Sequence, residues 1–279
     1  MSSSFSLSFG SSSEPSFLVK YGKHILVALG VCVVASAIMW ANVTKKAELY
    51  TPAPTSFLSK DTTKYFLSGD VDEYGSKLNF VNLESCGVVS YQDLLDKWST
   101  SATDFTSHEK KLLQDAALLA DYQINKNIPN PMGSQLQTIG WLFAKTIHPY
   151  YLDGLPHTRL DVIFVTDKIL STFSNERLAA LLVHEKIHLW QRKYPDEMQG
   201  WIDRQKYRKV KRVLEDGLQR MNPDVDEWLY ENEQGDLLGV RFNSVKPLDL
   251  YDVSNYSKDN EHPHEQMAYQ LQQSLFPGT

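Results

Sequence analysis

The spacing of apolar residues changes period several times along the chain, and each change marks a predicted element. After Thr106, the residues Leu112, Leu113, Ala116, Leu119, Ala120 and Ile124 recur three and four positions apart, as on one face of a helix. Thr106 and Glu109 hold the positions of a capping box, and Pro129 and Pro131 stop the run. Leu136, Ile139, Leu142 and Phe143 repeat the helical spacing and predict a helix over residues 135–147. Val162, Ile163, Phe164 and Val165 form a β-branched and aromatic run, which predicts a strand over 161–166. A further helix is expected after Ser174, an N-cap residue followed by Glu176 at the positive helix end. Leu178, Leu181, Leu182 and Leu189 carry its period, and Pro195 ends it.

Further on, Trp201, Ile202, Val210, Val213 and Leu214 give an apolar side to a predicted helix over 198–214. Its other side holds Arg204, Lys206, Arg208, Lys209, Lys211 and Arg212, and reads as a solvated face. Apolar-rich runs at 227–230 and 237–242 flank Glu233, Gln234, Gly235 and Asp236, the signature of a β-hairpin. Residues 91–98 suggest a short helix, and 265–275 a final one closed by Pro277 and Gly278.

The N-terminal part follows another rule. Residues 1–24 form a serine-rich tail with too little apolar surface for a core. The run at 25–43, opened by Ile25 and closed by Val43, is free of charge and bracketed by lysines. Its length suits a transmembrane helix and therefore a single-pass membrane protein. Ala35, Ser36 and Ala37 offer a cleaved signal peptide as the competing reading. Residues 44–60, with Pro52 and Pro54, read as a stalk, and 61–279 as the folded domain.

Composition narrows the classes. Acids outnumber bases 34 to 28, which argues against a nucleic-acid partner. Cys32 and Cys86 are the two cysteines, too few for a disulfide framework or a cysteine-based zinc site. Such usage fits a reducing compartment, and equally a larger domain outside the cytosol.

The predicted helix after Ser174 contains His184, Glu185 and His188, the pattern H-E-x-x-H. Histidines at i and i+4 project from one helical face, so two imidazoles can bind one Zn²⁺. The glutamate between them can take a proton from an attacking water. The plain alternative is an amphipathic helix whose histidines are surface or core residues.

At these residues the chain resembles the zincin metallopeptidases, and the strand-then-helix order at 159–194 is similar too. Zincins carry an edge strand above the active-site helix, with which extended substrate peptides pair. The resemblance implies an α+β, zincin-like fold, mostly helical, with a small sheet whose edge strand at 161–166 precedes the H-E-x-x-H helix. It also implies a third zinc ligand, which the spacing must locate. Gln191 and Tyr194 occupy the glycine and last histidine positions of the metzincin extension, and Tyr207 and Arg208 the near-glutamate positions of thermolysin-like enzymes. Glu265, Gln266, Met267 and Ala268 match the Glu-x-x-Ala pattern of gluzincin-like proteins, 77 positions after His188. Glu265 is thus the expected third ligand. Glu233, which follows Asn232, is the competitor, with His262 or His264 as further possibilities. A tyrosine or histidine commonly stabilises the oxyanion in this superfamily, and His157 is a candidate.

The expected activity is that of a membrane-anchored zinc metallopeptidase acting on a peptide or protein substrate, with Glu185 as general base. Three other readings stay open: an inactive zincin-fold membrane scaffold, a zinc hydrolase of a non-peptide amide or ester, and a metal-free protein with an accidental motif.

Overall fold

The computed structural model describes residues 52–77, 87–149, 151–211, 218–220, 226, 228–245, 247, 251–254 and 256–279. Pro52–Thr279 forms one compact unit. Its principal sheet contains β1 (Thr55–Phe57), β2 (Trp141–Thr146), β3 (His157–Arg159) and β4 (Val162–Thr166), in the order β1-β2-β4-β3. The first two strands and β4 run parallel. β3 returns antiparallel, with His157 opposite Phe164 and Arg159 opposite Val162.

Parallel neighbours need long crossovers. The one from β1 to β2 carries α1 (Lys60–Gly69), α2 (Tyr74–Lys77), α3 (Tyr91–Ser99), α4 (Ser107–Asn127) and α5 (Met132–Gln137). From β4 the chain passes through α6 (Asp167–Thr172) into α7 (Asn175–Lys193), and then α8 (Pro195–Arg204). Short pairings follow: β5 (Arg208–Lys209), β6 (Tyr230–Glu231) and β7 (Leu237–Leu238) in one sheet, β8 (Arg241–Phe242) and β9 (Val253–Ser254) in another. The last element is α9 (Pro263–Leu275).

Alternation along the strands builds two cores. Trp141, Phe143, Ile163 and Val165 join α4, α7 and α9 in the larger cluster. Ala144, Val162 and Phe164 join α1 and α3 in the smaller one. Strands covered on both faces carry apolar residues without a polar alternate.

That burial explains one departure from the sequence reading. The apolar spacing at 135–147 predicts a helix, but the chain forms α5 and then β2. Five of the six residues in β2 are buried, so apolar positions on both strand faces imitate a helical period. The predicted helix at 198–214 also divides. α8 starts at Pro195 and ends at Arg204, Lys206 turns at φ 60°, and Arg208 and Lys209 enter a sheet. The strand expected at 161–166 forms as β4 but lies inside the sheet; β3 holds the outer position next to it. Within the described residues, the first element, β1 at Thr55, falls inside the span read as a stalk.

The α+β class stands with small sheets, but the expected membrane helix needs correction. No helix among the described residues is long and apolar enough to cross a membrane. Residues 25–43, on which that expectation fell, lie outside the described residues.

The small core is built around a charge. The side chain of Arg159 is fully buried, its Nε donates to both Asp72 oxygens at 3.2 and 3.1 Å, and its Nη2 donates to Asp70 at 2.8 Å. Nη1 donates to the Tyr151 hydroxyl at 3.1 Å, and the guanidinium lies over the rings of Phe66 and Tyr74. Tyr151 in turn donates to His157 Nε2 at 3.0 Å, and His157 Nδ1–H donates to the Leu155 carbonyl at 3.0 Å. His157 is therefore a satisfied neutral imidazole, and burial pulls its pKa from 6.5 to about 3.

Two outcomes follow from this core. Arg159→Met leaves two carboxylates without their cation and is expected to cost about 3–5 kcal/mol in urea denaturation. His157 binds a proton below its ordinary pKa in the unfolded chain but not in the folded one. Its share of stability is therefore complete above about pH 6.5 and is lost as pH falls toward 3. In thermal melts across that window, His157→Gln should lose stability less steeply than wild type; parallel profiles would remove His157 from the acid response.

Candidate metal centre

α7 starts where the sequence places it. The Ser174 side chain accepts from the Arg177 N–H at 3.2 Å, which satisfies one of the open donors at the helix start. Every residue from 182 to 191 is buried. The helix turns about 100° per residue, which brings His184 and His188 onto one side. Their ring centroids are 4.7 Å apart and their planes nearly perpendicular, at 79°.

α9 meets that side. His262 is its N-cap, Pro263 starts its first turn, and Glu265 lies within that turn, where the positive helix end favours a carboxylate. Glu265 Oε2 lies 3.0 Å from His184 Nε2, and Oε1 lies 3.4 Å from His188 Nε2. The two Nε2 atoms are themselves 3.0 Å apart. Burial alone would raise the Glu265 pKa, but attraction to His188 and hydrogen bonds to both imidazoles hold it well below the carboxylate range.

His188 is held in one tautomer. Gln191 Nε2–H donates to the His264 carbonyl at 2.9 Å, which fixes the amide so that its Oε1 faces His188. His188 Nδ1–H donates to that oxygen at 2.9 Å, leaving the Nε2 lone pair for the centre. The other histidine is held differently. His184 Nδ1 is buried with no hydrogen-bond partner among the described residues, and its ring packs on Tyr269 with centroids 4.6 Å apart.

These atoms fit a metal ion. Two imidazole nitrogens and a carboxylate suit zinc in type. Ligands about 2.0–2.2 Å from a tetrahedral ion stand about 3.3–3.6 Å from one another, slightly farther apart than the 3.0, 3.0 and 3.4 Å found. Within the described residues, His184, His188 and Glu265 are the group whose ligand atoms all lie within 4.8 Å of one another. Glu185 is buried beside them, displaced about 100° around the helix from His184 and about 60° from His188.

Other residues considered from sequence lie elsewhere. Glu233 accepts from Lys206 at 2.7 Å in a pair exposed on both sides. His262 Nε2–H donates to the Trp228 carbonyl at 3.2 Å, and its Nδ1 accepts from the His264 N–H. The His264 ring stacks on His262, and neither belongs to the converging group. His157 has both nitrogens engaged in the small core, so an oxyanion role has no support. Tyr269, one turn after Glu265, packs its ring on His184, its hydroxyl accepts from the Tyr256 hydroxyl at 3.3 Å, and its phenol pKa is raised by burial and by Glu265. The sequence reading missed the part played by Gln191. Its signal is present, because a residue three positions after His188 shares its helical side.

Comparison with protein-family models, curated proteins and solved structures finds no match.

Titration with Zn²⁺, followed by calorimetry and elemental analysis, is expected to give one site per chain. Glu265→Ala should weaken it sharply, and Gln191→Leu by about 10–100-fold, as loss of a ligand's own hydrogen-bond partner does. Glu233→Ala should leave it unchanged; a loss there instead of at Glu265 would reject the ligand set.

Proposed function

We propose that this chain is a zinc-dependent metallopeptidase in which His184, His188 and Glu265 hold the ion and Glu185 is the general base. The observation that carries the reading is the meeting of two Nε2 atoms from α7 with the Glu265 carboxylate from α9. Zinc held there supplies Lewis acidity, which lowers the pKa of a water and polarises a carbonyl.

The chain's own residues do the rest. Glu185 accepts a proton as the water oxygen bonds to the peptide carbonyl carbon. The C–N bond then breaks, and Glu185 passes the proton to the leaving nitrogen, giving a carboxylic acid and an amine. Burial of Glu185 beside the ligands restricts competing water around the base. Gln191 keeps His188 in the tautomer that offers Nε2. The choice of a peptide substrate rests on the resemblance of the His184–His188 motif to the zincins, since β3, the outer strand beside β4, is buried at all three residues.

Glu185→Gln keeps the shape and removes the base. Zinc content should stay at the wild-type level, while turnover of a mixed peptide library falls by about 10²–10⁴-fold. Wild-type turnover in Glu185→Gln would take Glu185 out of the reaction, and zinc-loaded wild type that cleaves no peptide would reject the peptidase reading.

A further inference from the structure

Lys186, between the base and the second histidine, carries its amino group into the larger core and takes no part in the proposed reaction. Its side chain is fully buried, and its Nζ donates to Asp121 Oδ1 at 2.6 Å. The ammonium also lies 4.0 Å from the centroid of the Trp141 ring. Asp121 is held from two other directions. Its Oδ2 accepts from Trp141 Nε1–H at 3.0 Å and from the Ala53 N–H at 3.1 Å. One carboxylate therefore joins α4, β2, α7 and the chain just before β1.

The direction of this contact matters. Around the α7 axis, His184 and His188 stand about 40° apart, and Lys186 stands about 180° from the line that bisects them. The ion pair thus grips the helix from the side opposite the ligands. Next to Asp121 the α4 surface in this core is shallow, with buried Ala116, Ala117 and Ala120, while the bulkier Leu113 and Ile124 lie further along the helix. Methyl groups form shallow ridges and only weakly fix the angle of a neighbouring helix about its own axis. Stability alone is a poor reason for the pair, since apolar replacement of a buried ion pair is often neutral or stabilising.

We infer that Lys186 is a positioning residue: with Asp121 it sets the rotation of α7, and so the point at which His184 and His188 meet Glu265. The inference rests on the reading of those three residues as a metal centre.

The test uses Co²⁺, whose visible spectrum reports coordination geometry. In Lys186→Met/Asp121→Asn both charges are gone, while the amide oxygen still accepts from Ala53 and Trp141. This double variant is expected to melt within about 4 °C of wild type. Its Co²⁺ affinity should fall about tenfold or more, the size of effect seen for groups that orient ligands. Its visible bands should weaken and shift. A folded double variant with wild-type affinity and spectrum overturns the inference and leaves the metal centre standing. Failure of wild type itself to bind Co²⁺ removes the metal centre, and the inference with it. If the double variant does not fold, Asp121→Asn alone is read against the same two outcomes.

Discussion

Residues 182 to 191 of α7 are all buried, so no part of that stretch is free to turn toward solvent. A helix enclosed in this way has its orientation decided by its neighbours, and each side of α7 meets a different one. His184 and His188 meet α9 through Glu265. On the opposite side, Lys186 meets Asp121 of α4. Near the C-terminal end, Arg192 Nη2 donates to the carbonyl of Leu160 at 2.7 Å, in the turn between β3 and β4. Leu160 has a φ of 49°, a conformation that a leucine adopts only at some cost. Sheet, scaffold helix and final helix thus all act on the element that carries the motif.

The two faces of the principal sheet place charge in the interior in related ways. On one side Lys186 and Asp121 are joined with the help of Trp141 and Ala53. On the other, Arg159 is shared by Asp70 and Asp72, with Tyr151 completing the set. In both cases extra donors and acceptors use the capacity that a simple pair would leave open, which is what makes buried charge tolerable. The consequences differ with position. Arg159 ends β3 beside the turn into β4, whereas Lys186 lies on the helix next to Glu185.

Local signals in the sequence were legible wherever one residue's chemistry sets the backbone. Thr106 and Glu109 form the capping box, and Ser174 caps α7. The turn at Asn232 to Asp236 joins β6 and β7, although those strands are only two residues each. Burial was much less legible. β2 hides its strand nature behind apolar residues on both faces, and α8 stops at Arg204 although the basic and apolar spacing continues. The outer position of β3 rests on pairing with β4, which no local spacing encodes. Of the candidate centre, the two histidines and Glu265 could be named from pattern. The hydrogen bonds of Gln191 and Lys186 depend on long-range partners, His264 and Asp121, and could not.

Glu265 comes from 77 positions beyond His188, and a proposed ligand supplied from so far along the chain needs firm local support. The start of α9 has it. Gln191 of α7 donates to the carbonyl of His264, the residue immediately before Glu265. On the other flank, the Tyr207 hydroxyl donates to Gln266 Oε1 at 2.7 Å. Gln266 Nε2 donates back to the carbonyls of Asp259 and Glu261 at 3.0 and 2.7 Å. The backbone that carries Glu265 is therefore held on both sides by side-chain amides, one of which also orients His188. Because Gln191 serves both His188 and α9, a shift of α9 relative to α7 would disturb His188 and Glu265 together. Within the described residues, the geometry of the centre and the docking of the last helix are therefore one coupled property of the fold.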